Sequence, residues 1–307
     1  MSNLFADRVF SALWQNYCLD YPLASLIYET IQTQYNTVIP WDHVAFIDLP
    51  GPHTGRIPLI ELWQSIDYEV RGQGYLAEKQ NPFVWLAEKN QAQRLAKQAW
   101  PQVVVADFYR AALAPKVRAI VDYYAAFARP LDRQKLYALK KRALENKECA
   151  EEWVTFMIDY LKGRDWPLPT VEEFTFVKQH NELLAWVLVM GRQVNHFGLA
   201  IHLIEHFSSL QVFNEWIQAT LAIPLNQEGG LIKGGAQQEI AQSSTAAIKK
   251  NVRLADGPSQ LADRFIEFVW RYPKKNNEDK SLLWSAYFTD FIAKQANYVV
   301  ESLTLKK

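Results

Sequence analysis

Apolar residues recur at helical spacing from Leu4 through Val9, Phe10, Leu13, Trp14 and Tyr17, and again from Leu23 through Leu26, Ile27 and Ile31. This predicts two helices broken near Pro22. The period then changes. In DHVAFIDL (42–49), His43, Ala45 and Ile47 alternate with Val44 and Phe46, the two-residue repeat of a strand with unlike faces. The turn residues PGPHTG lead into a predicted helix over 57–70, and GQGYLAE into a short strand. From about 88 to 165 the pattern is mainly helical, interrupted by the β-branched run in PQVVVADFY (101–109). VEEFTFVK (171–178) admits a strand, and LLAWVLVMG (183–191) reads as a helix feeding NHFGLAIHL. Ser208 or Ser209 is placed to cap a helix running to Ala222. Glycine pairs between 224 and 257 predict loops and short strands, and RFIEFVWRY (264–272) is the clearest strand of all. The segment 281–302 predicts a terminal helix. With no repeat or linker to divide it, the chain is expected to form one α+β domain over 1–307, with sheet-forming segments around a mainly helical insertion at about 88–165.

Composition narrows the function classes. The 307 residues carry 33 basic and 33 acidic side chains, so no global field recruits nucleic acid or an anionic membrane. A small molecule or a protein is the expected partner. Cys18 and Cys149 are the only cysteines, too few for a disulfide framework or a thiolate metal cage, which fits a reducing, cytoplasmic setting. MSNLFADRVFSALWQNY has no basic start followed by a long apolar run, so a secretion signal is not expected. LLAWVLVMG is less than half of a membrane span. Eleven tryptophans suit a core or a subunit interface, and nothing in the chain indicates an oligomeric state.

Three of the six histidines fall in NHFGLAIHLIEHF (195–207). As a helix, His202, Glu205 and His206 would spell the H-x-x-E-H of inverted zinc peptidases. As a strand, His196, Gly198, Ala200 and His202 share a face, which sets a histidine beside two minimal side chains. His43 likewise lies beside Ala45, and Glu267 shares a face with Val269 and Arg271. Two histidines and a carboxylate on three strands match a 2-His-1-carboxylate site, whose open positions suit oxygen chemistry at Fe(II). A lone histidine on a strand is more often structural, so spacing alone leaves both readings open. His53 and His180 read as exposed.

WDHVAF (41–46), AWVLVMGRQVNHF (185–197), PLNQEGGLIKG (224–234), AQSSTAA (241–247), ADG (255–257) and FIEFVWR (265–271), with a weaker match in VVVADFYRAALAPKV, resemble the ordered motifs of the 2-oxoadipate dioxygenase/decarboxylase (hydroxyglutarate synthase) family. The resemblance spans about residue 40 to the C-terminus. It implies a vicinal-oxygen-chelate-like β core, a curved sheet or barrel with a helical N-terminus, and an Fe(II) site formed by His43, His196 and Glu267. It also implies a reaction in which one 2-oxo acid chelates iron, loses carbon dioxide and is hydroxylated with dioxygen, as 2-oxoadipate becomes 2-hydroxyglutarate. Zinc or nickel would be able to occupy such a site after purification.

The resemblance also exposes a departure. Family members acting on 2-oxoadipate carry an arginine four residues after the first metal histidine, where a guanidinium grips the distal carboxylate. Ile47 stands there. Either Arg56 or Arg271 takes over, or the substrate has a less polar tail. Gly198 stands where the family usually has Thr, which is expected to widen or reshape the pocket. Gln242, Ser243, Ser244 and Thr245 are expected as pocket hydrogen-bond donors by analogy. Two other readings remain: a non-oxidative metal-dependent enzyme on the same scaffold, and a binding protein that kept the metal cup but lost catalysis.

Overall fold

Helices α1 (Ser2–Asp20) and α2 (Pro22–Tyr35) open the chain in the computed structural model, which describes residues 2–274, 282–293 and 295. Pro22 begins α2, where its missing N–H costs no helical bond. The buried stripe Phe5, Val9, Phe10, Leu13 and Tyr17 of α1 joins one core with Val44, Phe46, Phe197, Leu199, Ile266 and Phe268, the strand positions that face away from the histidines. Next come β1 (Trp41–Ile47), α3 (Arg56–Gln64), β2 (Tyr68–Leu76), β3 (Asn81–Glu88) and β4 (Gln102–Ala106). Five helices follow: α4 (Pro115–Ala125), α5 (Arg133–Glu145), α6 (Ala150–Tyr160), α7 (Val171–His180) and α8 (Glu182–Met190). The remaining elements are β5 (Val194–Ala200), α9 (Leu210–Leu221), β6 (Lys233–Gly235), β7 (Ile240–Ser244), the hairpin β8 (Lys249–Arg253) with β9 (Pro258–Ala262), and β10 (Phe265–Arg271).

Eight strands form one curled half-barrel sheet in the order β2-β3-β4-β1-β5-β10-β7-β6, and the α+β expectation is met. Each half of this sheet is a strand, a helix and three further strands, the β8–β9 hairpin standing outside it. In each, the first strand pairs in parallel with the last: β1 with β4, and β5 with β10. The halves join where β1 and β5 pair antiparallel, with His43 opposite Gly198 and Ala45 opposite His196. A two-fold relation therefore equates His43 with His196 and Ala45 with Gly198. A second core, with α4, α7 and α8, packs Leu49, Phe83, Trp85 and Phe265. All eight residues of LLAWVLVM in α8 are buried, as a helix that is apolar all round requires.

Several predicted elements come out differently. The helix predicted over 57–70 ends at Gln64, where Asp67 turns into the left-handed region (φ 65°), and Tyr68 to Val70 already belong to β2. Gly72 and Gly74 of β2 make room for β3, since a Cβ at either would lie 2.1 Å from Trp85 or 2.3 Å from Phe83. VEEFTFVK is helix α7, not a strand. Thr170 and Glu173 close a reciprocal cap at its start, and this local bonding outweighs the β-branched and aromatic content. Within the predicted terminal helix, residues 282–292 instead form a short 3-10 turn at Trp284–Ala286 flanked by bridges to Leu95 and Pro273, whereas Ala293 and Gln295 are helical; the rest of that segment lies outside the described residues. Ser209 does cap α9, accepting from the Val212 N–H. Among the described residues no helix is long and apolar enough to cross a membrane.

Candidate metal centre

β1, β5 and β10 are consecutive in the sheet, and each sends one side chain to a common point. His43 Nε2 lies 3.2 Å from His196 Nε2, and Glu267 Oε2 lies 3.4 Å from both. All three residues are buried. The other ring nitrogens fix the tautomers. His43 Nδ1 donates to Asp42 Oδ2 at 2.9 Å, and His196 Nδ1 to Asn195 Oδ1 at 2.8 Å. With those protons committed, two imidazole lone pairs and a carboxylate oxygen face one another. Such an arrangement could hold a cation, and a single ion at about 2.0–2.2 Å from each atom matches ordinary metal–ligand lengths. These are the described residues that cluster as metal donors.

Electrostatics show how the cluster copes with a proton in the cation's place. Burial works against a charged His43, but Glu267 beside it and Asp42 behind it push its imidazolium up to about 9. Burial likewise opposes ionisation of Glu267, yet His43 and His196 bring its carboxyl down to about 2. Burial dominates at His196 and lowers it. Asp42 is held well below the usual carboxylate range, against its own burial, by the Arg271 guanidinium and His43.

Asp42 and Asn195 were missed by the sequence reading. Each is the extra residue of a β-bulge between β1 and β5, where the register shifts just before His43 and just before His196. Strict alternation would put each neighbour on the opposite face from its histidine, whereas the bulge brings the oxygen round to Nδ1. The D-H and N-H dipeptides were the available signal.

The other expected site residues divide. Ile47 and Gln242 line the cavity over the triad, and Gln242 Nε2 donates to Glu267 Oε1. Arg271 does not serve as a substrate clamp. Its five N–H groups go to Asp42 Oδ1 (2.7 Å) and Oδ2 (2.9 Å), Gln102 Oε1 (3.0 Å), Phe288 O (2.9 Å) and Asp290 O (3.0 Å), so none is left to grip a ligand. Arg56 is also engaged, with Nε 2.7 Å from Asp107 Oδ1, and it does not line the cavity. Thr245 Oγ1 accepts from the Ile266 N–H and bonds Tyr21 Oη, pinning β7 to β10 and α2 rather than donating to a pocket. Ser243 Oγ donates to Asn214 on the opposite face. Ser244 is buried opposite Glu267 in the β7–β10 register and lies outside the cavity lining. Gly198 does not widen the pocket: a Cβ there would fall 2.5 Å from His43 Cε1, so its empty face is filled by the imidazole.

The peptidase-like reading of 202–206 fails on geometry. His202 sits in a 3-10 turn with Nδ1 3.4 Å from Val269 O, Glu205 pairs with Lys97 at the surface, and His206 lies against Tyr35. His53 and His180 are exposed.

The cavity encloses about 510 Å³ of empty space including its mouth. Its polar lining is the triad, Gln242 and Asn81; Ala45, Ile47, Leu76, Phe83, Val104 and Phe291 make up most of the rest. Phe291 meets the His43 ring edge-on at 5.1 Å and Phe265 stacks on His196 at 4.6 Å, holding both imidazoles in place. No lysine or arginine lines the cavity among the described residues.

Comparison with known proteins agrees with this architecture. The family model described as 2-oxoadipate dioxygenase/decarboxylase matches residues 30–283. The chain is 23% identical over 272 residues to the chloroplastic/amyloplastic 2-oxoadipate dioxygenase/decarboxylase of Oryza sativa subsp. japonica, covering 87% of this chain and 69% of that protein. It is 30% identical over 142 residues to the chloroplastic enzyme of Arabidopsis thaliana, covering 45% and 38%. In fold it resembles the hydroxyglutarate synthase of Oryza sativa in complex with 2-oxoadipate (TM-score 0.80, 22% identity, 98% and 93% covered). It also resembles a glyoxalase-superfamily protein from Ralstonia eutropha JMP134 (TM-score 0.74, 14% identity, 87% and 83% covered), in keeping with a vicinal-oxygen-chelate core. The match over most of its length shows that this chain belongs to the 2-oxoadipate dioxygenase/decarboxylase family of enzymes.

Proposed function

We propose that the chain is a mononuclear Fe(II) dioxygenase/decarboxylase of a 2-oxo acid, with His43, His196 and Glu267 as the metal ligands, working as a single domain in a reducing, cytoplasmic setting. The carrying observation is the convergence of three acceptor atoms at 3.2–3.4 Å with both Nδ1 protons committed elsewhere. Free Cys18 and Cys149 fit the setting. Fe(II) held there would supply the redox chemistry that lets dioxygen react with a chelating 2-oxo acid.

The chain's own residues supply orientation and exclusion of water. Asp42 keeps the His43 lone pair aimed inward, and Arg271 keeps Asp42 ionised. Gln242 holds Glu267 Oε1, leaving Oε2 toward the histidines. The apolar walls keep bulk water off the reacting carbon. In the balanced reaction the C1–C2 bond breaks and C1 leaves as carbon dioxide. One oxygen atom joins C2, which becomes the new carboxylate, and the other enters a C3–H bond as hydroxyl. The 2-oxo acid supplies all four electrons.

The test is oxygen consumption and carbon dioxide release by anaerobically iron-loaded protein given 2-oxo acids. Equal stoichiometry is expected, with His196→Ala and Glu267→Ala losing both metal and turnover while His202→Ala keeps them. Metal-dependent turnover without oxygen uptake would instead establish the non-oxidative reading. Loss of metal from His202→Ala alone would refute the assigned triad.

A further inference from the structure

We infer that the substrate is a monocarboxylic 2-oxo acid with an alkyl or aryl side chain, not a dicarboxylate; the inference rests on the 2-oxo acid reading above and names its substrate class. The triad lines the cavity, where it would hold the 2-oxo carboxylate end. Leading away from His43 along β1 the wall is Ala45 and then Ile47, faced by Leu76, Phe83, Val104 and Phe291. A side chain extending from C3 therefore meets hydrocarbon. A second carboxylate buried there would lose its water and gain no cation from the described lining residues, which opposes binding.

Among the described residues the nearby cations hold other partners or stand outside the cavity lining. Arg271 has all five N–H groups bonded, two of them to Asp42. Arg56 is paired with Asp107. Lys233, buried on β6 beside Gln242, donates to Asn226 O at 3.0 Å and does not line the cavity. Asn81, the polar wall residue outside the triad's neighbourhood, is neutral and gives one of its two side-chain N–H groups to Asp107 O. The class has a chemical consequence upstream: 2-oxo acids of this kind arise by transamination or oxidative deamination of apolar α-amino acids. The balanced reaction further requires a hydrogen on C3.

The test compares 2-oxohexanoate with 2-oxoadipate, which share a six-carbon chain and differ in a terminal methyl or carboxylate. Binding to the metal-loaded full-length protein is measured by calorimetry without oxygen, so the readout does not depend on turnover. 2-Oxohexanoate is expected to bind tighter by about tenfold to a hundredfold, and Ile47→Arg to reverse the order. Equal or tighter binding of 2-oxoadipate by the unmodified protein overturns the class while leaving the 2-oxo acid reading intact. Binding of neither acid to protein that holds its metal overturns that reading, and the class with it. The wild-type comparison decides the matter even if Ile47→Arg fails to fold.

Discussion

At the scale of single residues, the metal centre competes with a proton. Without an ion, His43 carries the proton, raised from 6.5 to about 9 chiefly by Glu267 and Asp42 working against burial. Because the folded value lies above the unfolded one, this proton stabilises the metal-free protein below pH 6.5, and the contribution is lost as pH rises through 9. A metal must displace it. Apparent metal affinity should therefore rise about tenfold per pH unit from neutrality up to about 9, with about one proton released per ion. Metal titration at pH 7 and pH 8 in weakly buffered indicator solution measures both quantities, and a pH-independent affinity would refute His43 as ligand. The triad itself was legible because parity along a strand assigns faces and the resemblance to the family motifs singles out His43, His196 and Glu267 on them. Asp42 and Asn195 were not, since a bulge breaks parity at those positions. Arg56 and Arg271 were misassigned for another reason: their carboxylate partners, Asp107 and Asp42, lie 51 and 229 positions away, and no local pattern reveals them.

At the scale of elements, helix α7 shows local bonding prevailing over composition. VEEFTFVK has the residues of a strand, but Thr170 Oγ1 accepts from the Glu173 N–H while Glu173 accepts from the Thr170 N–H. Glu173 also accepts from Tyr124 Oη at 2.7 Å, which ties the cap of α7 to α4. Thr170→Ala should cost about 1 kcal/mol of stability, within the range for lost N-caps, and chemical denaturation would detect it. A change below a few tenths of that would show that the tertiary contacts of Phe174 and Val177 hold the helix unaided. Strong periodicity made α1, α2, β1 and β10 readable, an unbroken apolar run marked α8, and a serine cap pointed to α9. β2 was readable only in part, because its glycines carry no apolar signal, and β3 went unread as an element; the meaning of Gly72 and Gly74 is the aromatic rings that occupy their space.

At the scale of the molecule, the eight-stranded sheet is two copies of one strand-helix-three-strand unit that share no visible sequence repeat. Topology preserves what sequence does not: the two-fold relation across β1 and β5 needs only a bulged histidine strand in each half, and the remaining positions answer to different neighbours. Glu267, opposite Gly198 on β10, has as its counterpart Val104, opposite Ala45 on β4. One half would therefore supply a single ligand and the other two, while the apolar counterpart position lines the cavity. An ion at the triad joins the halves at their seam, so it must stabilise the whole fold by mass action. At a free metal concentration about a hundredfold above Kd the gain is about 2.7 kcal/mol. At about 2–4 °C per kcal/mol for chains of roughly this size, chelation should lower Tm by about 5–10 °C. Glu267→Ala, which removes one ligand while leaving β10 in the sheet, should abolish the metal-dependent part of the shift, and His202→Ala should preserve it. Scanning calorimetry with and without chelator distinguishes these outcomes, and a midpoint indifferent to chelation in the unmodified protein would mean that the seam holds no ion.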